Sequence, residues 1–150
     1  MTIKNYNNLI IFNIMKNPFQ AGDKKEYSKI IQANEIASFE SGTVHEVYST
    51  FAIARDAEWS GRLFVLEMKE ETEEGIGTKI TVEHKGPAFI GQEVRYVSTF
   101  VEITGHGEII TSYEAYCDNR IIATGMQGQK ILPKKKIDAL FRSLESKSAG

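Results

Sequence analysis

Between His45 and Leu66 apolar side chains recur at steps of three and four. Ile53, Ala54, Ala57, Gly61 and Phe64 fall on one side. That spacing predicts a long amphipathic helix with one buried face. Ser49 and Thr50, both good N-cap residues, stand near its start. Gly61 on the buried face allows a strand to approach closely, at a cost of about 1 kcal/mol relative to alanine. Beyond an acidic turn over residues 70–75 the pattern changes to a period of two. Strands are predicted at 78–85, 92–104, 108–117 and 120–132. In the first, Ile80, Val82 and His84 share one face, and Lys79, Thr81, Glu83 and Lys85 share the other. Gly125 and Gly128 interrupt the last, which implies a bulge or a close neighbour.

Upstream, 25–32 reads as an edge strand. Residues 34–39 read as one helical turn capped by Asn34 and ended by Ser41-Gly42. Pro133 opens a closing helix whose Ile137, Leu140, Phe141 and Leu144 lie at i, i+3, i+4 and i+7. One long helix beside consecutive antiparallel strands is an α+β layout, with the sheet wrapped around the helix.

Composition narrows the function. A chain of 150 residues suits one domain with a proper core. We place that domain at 16–147, after an extension over 1–15 in which Met15 is a second candidate start. With 18 basic and 20 acidic residues, the net charge of −2 gives no general attraction to nucleic acid or to an anionic membrane. No apolar run reaches the roughly 18 residues of a membrane span. The single Cys117 excludes an internal disulfide and a multi-cysteine metal site, and fits a reducing, cytoplasmic setting. Three histidines on unrelated elements show no metal-ligand spacing, so no metal is expected.

The stretch from Thr50 to His84 carries the chemistry. It reads T50-FAIARDA-E58-W, then an acidic turn, then E74-GIGTKITVEH84. Taken alone, Glu58 reads as an exposed helix glutamate, His84 as a hydrogen-bonded core histidine and Thr50 as a plain cap. Together, and with the ending ILPKKKIDALF, these residues resemble the hot-dog-fold acyl-CoA thioesterases, in the fluoroacetyl-CoA thioesterase-like branch. The resemblance covers roughly residues 16–142. Glutamate follows threonine by eight positions, and histidine follows the pair Gly77-Thr78. One departure stands out: where many relatives have a Gly-x-His-x-Arg run, this chain has Gly125-Met126-Gln127-Gly128-Gln129.

The resemblance implies a hot-dog fold and hydrolysis of an acyl-CoA or similar thioester, with coenzyme A as part of the substrate and no separate cofactor. It implies Thr50, Glu58 and His84 as the catalytic set. Glu58 would be a general base on water or a direct nucleophile. Partial desolvation beside Trp59 would raise its pKa. His84 would orient that carboxylate or protonate the leaving sulfur, and Thr50 would hold water or the carboxylate. The helix N-terminus and the backbone near Gly77 are candidate donors to the oxyanion. Lys134, Lys135 and Lys136 sit where a helix dipole disfavours cations, a conflict that a coenzyme A phosphate would remove. Read alone they are solvated lysines. A homodimer, or a higher dimer-based oligomer, is expected because segment 92–104 is apolar on both faces and one helix covers only part of such a sheet. The alternative is a non-catalytic acyl-CoA or small-ligand module on the same scaffold. One constraint follows from geometry. Eight residues of helix rise about 12 Å. Thr50 and Glu58 can share one small group only if Thr50 folds back or the site is completed across subunits.

Overall fold

The structure is a computed structural model that describes residues 16–149; the extension over 1–15 lies outside them. Strand β1 (Lys24–Ile30) leads to a 3-10 turn (Ala33–Glu35) and a small hairpin, β2 (Ile36–Phe39) and β3 (Gly42–Tyr48). Helix α1 (Thr50–Met68) follows. Then come β4 (Glu73–Ile80), β5 (Glu83–His84), β6 (Glu93–Ile103), β7 (Glu108–Cys117), β8 (Arg120–Pro133) and the closing helix α2 (Lys134–Ser148). The main sheet is antiparallel in the order β1-β6-β7-β8-β4, with β5 also on β8. Helix α1 packs across five of its strands. This is the α+β hot-dog layout that the sequence pattern and the resemblance imply.

The periodicity of α1 explains the packing. Ile53, Ala57 and Phe64 are fully buried with Val65 and Met68, against Tyr96, Phe100, Ile109 and Ala115 of the sheet. Burying each large side chain contributes about 1.5–3 kcal/mol. Gly61 is where the helix presses on the sheet. A Cβ there would collide with the Gln127 amide and crowd Thr111.

Several boundaries differ from the sequence reading. Residues 45–48 belong to β3, so the helix begins at Thr50 behind a Ser49 cap. Segment 34–39 is a 3-10 turn followed by a strand, not a helical turn capped by Asn34; Gln32 is the N-cap. The strand expected over 78–85 is broken at Thr81-Val82. Its break is held from β7 and β8: Tyr113 donates to the Thr81 carbonyl at 2.7 Å, and the Met126 amide donates to the Thr81 hydroxyl at 2.8 Å. Gly125 admits that carbonyl, because a side chain there would strike it. Strand β6, apolar on both faces, lies inside the sheet between β1 and β7, and β1 and β4 are the outer strands. On α2, Ile137 is buried but Leu140, Phe141 and Leu144 are half-exposed.

One polar cluster lies inside the fold. Asp56, on the covered side of α1, accepts from the Tyr48 hydroxyl, and Tyr48 in turn meets the Tyr96 hydroxyl at 2.6 Å. Lys29 lies 3.1 Å from Asp56 and also pairs with Glu35. Arg55 closes the cluster from outside, bonding both Asp56 and Glu35. Burial pushes the Tyr48 and Tyr96 hydroxyls well above their ordinary range, so both stay protonated donors. For Glu35, burial opposes ionisation, but bonds from Lys29, the Gln32 amide and Arg55 outweigh it and hold its carboxyl low. The cluster ties β1, the 3-10 turn and β6 to the first half of α1.

Candidate active site

The first half of the site is built at the N-terminus of α1. Ser49 caps it: its hydroxyl accepts from the Ala52 amide at 3.1 Å, and its carbonyl accepts from Ile53 at 3.0 Å. The Thr50 and Phe51 amides are left without a partner among the described residues. Thr50 is the first helical residue and is exposed. The short β5 brings His84 beside it, with Thr50 Oγ1 2.9 Å from His84 Nδ1. On the far side of the ring, Nε2 lies 3.0 Å from the Gly86 carbonyl oxygen. A carbonyl can only accept, so the neutral ring carries its proton on Nε2. Nδ1 is then bare and accepts the Thr50 hydroxyl proton. The threonine oxygen keeps its lone pairs for another donor.

The second half lies two turns along. The Glu58 side chain reaches the β4 strand, where a Cβ on Gly77 would collide with Oε1. Gly77 is thus required for the close approach of the carboxylate. Glu58 and Gly77 are shared by the walls of two shallow cavities. One, of about 170 Å³, continues along Thr78, Lys79 and Ile80. The other, of about 220 Å³, is walled by Arg55, Trp59, Arg62, Gly75 and Gln129. Arg62 bonds Glu74 at 2.5 Å, and this guanidinium holds the Glu74 carboxyl below its usual range. Among the described residues no cation pairs with Glu58 itself.

The predicted trio is therefore divided. Thr50 and His84 come together; Glu58 does not join them. Thr50 lies inside a continuous helix, which removes the folded-back lead-in as a way to close the roughly 12 Å rise. Glu58 is exposed, so the burial expected beside Trp59 is not supplied within one chain. Gly77 lies under the Glu58 carboxylate and lines both cavities. Lys134, Lys135 and Lys136 are exposed in the first turn of α2 and line neither cavity. The sequence reading gave no role to Arg55 or Arg62, although both follow from helical spacing: 55, 58, 59 and 62 share one face of α1. Gln129 was visible only as part of the departure in β8. Among the described residues no group of His, Cys, Asp and Glu side chains is arranged to hold a metal ion. No described helix is long and apolar enough to cross a membrane.

Comparison with known proteins reaches the same chemistry. The profile of the fluoroacetyl-CoA-specific thioesterase family matches residues 31–135. A Thermus thermophilus protein of the thioesterase superfamily has a similar structure. It is 32% identical over 89% of this chain and 98% of its own, with a TM-score of 0.84. The fluoroacetyl-CoA thioesterase FlK is 18% identical over 85% of this chain and 98% of its own, with a TM-score of 0.77. A variant of FlK has been solved with fluoroacetate and CoA. A hot-dog-like protein from Thermanaerovibrio acidaminovorans is 17% identical over 83% and 92%, with a TM-score of 0.75. A search of curated proteins finds no match.

Proposed function

The chain belongs to the fluoroacetyl-CoA-specific thioesterase family, and from that premise we propose that it hydrolyses acyl-CoA thioesters at a site completed by two copies of itself. The observation that carries this reading is the division of the polar set. Thr50 and His84 form one finished half, and Glu58 on Gly77 forms another, without a cation partner among the described residues. Apposed copies place the Glu58 of one chain opposite the Thr50–His84 pair of the other. The outer edge of β4, which carries Gly77 and pairs with no strand among the described residues, is the natural seam, because an unpaired strand edge is a template for pairing. Apolar Phe39, Phe51 and Phe89, each about half-exposed in the single chain, give such an assembly surface to bury around Thr50.

The chemistry follows from the groups. Glu58 takes a proton from water as the oxygen attacks the thioester carbonyl carbon. The Thr50 oxygen, with its own proton held by His84 Nδ1, accepts from that water and orients it. With Nε2–H committed to the Gly86 carbonyl, the neutral His84 serves as an orienting base, not as donor to the sulfur. The Thr50 and Phe51 amides are suited to receive the oxyanion at the positive end of α1. When the tetrahedral intermediate collapses, the carbon–sulfur bond breaks. The proton held on Glu58 passes to sulfur, giving the free acid and the CoA thiol. The coenzyme is part of the substrate, and the exposed lysines at 134–136, just past β8, are the cations offered to its phosphates. The test is thiol release over a panel of short, branched and aromatic acyl-CoAs, read beside sedimentation at micromolar concentration. A fully active monomer overturns the two-chain site. Binding without thiol release would favour the binding-module reading.

A further inference from the structure

Two glutamines lie where an apolar core would cost less. Gln127 and Gln129, on β8, are 0% and 1% exposed. A buried amide destabilises unless each of its groups is bonded, and here the bonds form one directed chain. Gln129 Nε2 donates to the backbone carbonyl of Glu58 at 3.4 Å and to Gln127 Oε1 at 3.0 Å. Gln127 Nε2 donates to the Thr111 hydroxyl oxygen at 2.7 Å. The direction is not arbitrary. The Glu58 carbonyl can only accept, so it must face the nitrogen of Gln129. Gln127 must then offer oxygen to Gln129 and nitrogen to Thr111. Gly61 completes the arrangement, since a side chain there would occupy the place of the Gln127 amide.

We propose that Gln129 is a positioning residue for Glu58, fixing the turn of α1 that carries the base and relaying that constraint through Gln127 to Thr111 in the sheet. The remaining oxygen, Gln129 Oε1, accepts no bond among the described residues and lies beside Gly75 in the wall of the larger cavity. Gly75 and Gly77 are alternate residues of one strand, about 7 Å apart on one face. The carboxylate stands over one and the amide oxygen over the other. Charge placed at Gln129 is therefore felt at Glu58.

The proposal rests on Glu58 acting as the base, and its test separates the two claims. Gln129→Glu keeps the shape but, once ionised, donates nothing to the Glu58 carbonyl. Gln129→Met keeps the length with no hydrogen bond. Expected for Gln129→Met is a fall in kcat of about tenfold or more with KM within about twofold. Expected for Gln129→Glu is a pH profile whose descending limb is absent from the wild type and from Gln129→Met. Wild-type kcat in Gln129→Met, or a Gln129→Glu profile parallel to the wild type, overturns the proposal. Gln129→Glu, being isosteric, still reads the effect if Gln129→Met fails to fold. The side-chain amide protons of Gln129, followed by NMR exchange in the wild type, supply a readout independent of turnover: protection supports the network, and solvent-like exchange overturns it. A wild type that releases no thiol from any acyl-CoA sinks the thioesterase reading, while amide protection still decides the network.

Discussion

Asp56 and Glu58 are carboxylates two residues apart on one helix, and the fold treats them in opposite ways. Asp56 is 4% exposed and accepts from Tyr48, Lys29 and Arg55. Glu58 is exposed, rests on a glycine and has no cation partner among the described residues. The first has given up its reactivity to hold three elements together. The second has lone pairs that no cation claims among the described residues. The difference teaches that a polar residue near a site is sorted by what already satisfies it, not by its distance from the chemistry.

The largest effect expected is on the satisfied member. Asp56→Ala leaves Lys29 and Arg55 with Glu35 as their one shared carboxylate and the Tyr48 hydroxyl with Tyr96 alone, and one charge left uncompensated in a buried cluster costs about 3 kcal/mol. Urea unfolding should show that loss. A change under about 1 kcal/mol would mean that the cluster is not a structural anchor. Glu58→Gln should do the reverse. Turnover is expected to fall at least about 100-fold, with unfolding free energy within about 0.5 kcal/mol of the wild type. Near-normal turnover removes Glu58 from the mechanism.

A smaller change sharpens the contrast at the floor under Glu58. Gly77→Ala places a methyl where Oε1 now lies, so the carboxylate must swing away. A loss of about tenfold in kcat is expected from such misplacement, and kinetics identical to the wild type would show that the contact with β4 is incidental. The mildest test is pH. The carboxyl of Glu35 is held below its ordinary value in the folded chain. Its ionised form therefore stabilises the fold above the unfolded carboxyl pKa of about 4.3. That contribution fades as pH falls through the lower, folded value. The melting temperature should drop on acidification through this window, and Glu35→Gln should flatten that part of the curve. An unchanged slope in Glu35→Gln would exclude this carboxyl as its source.

The sequence by itself determined the periodic elements. The spacing of Ile53, Ala57, Gly61 and Phe64 specifies one helix face, and the alternating segments 108–117 and 120–132 specify strands, because periodicity is a local property written along the chain. It also marked Thr50, Glu58, Gly77 and His84, through their spacing in a stretch that resembles one family. Tertiary structure decided the rest. Residues 45–48 continue the apolar pattern into α1 yet pair with β2, since strand partners are chosen by neighbours distant in the chain. His84 meets Thr50 only because the sheet breaks at Thr81-Val82, and the groups that hold this break come from β7 and β8. Two partners of Asp56, Lys29 of β1 and Tyr48 of β3, come from outside the helix, and neither is readable from residue 56. Which carboxylate is satisfied and which is left open depends on what the fold carries to each, and no local pattern records that.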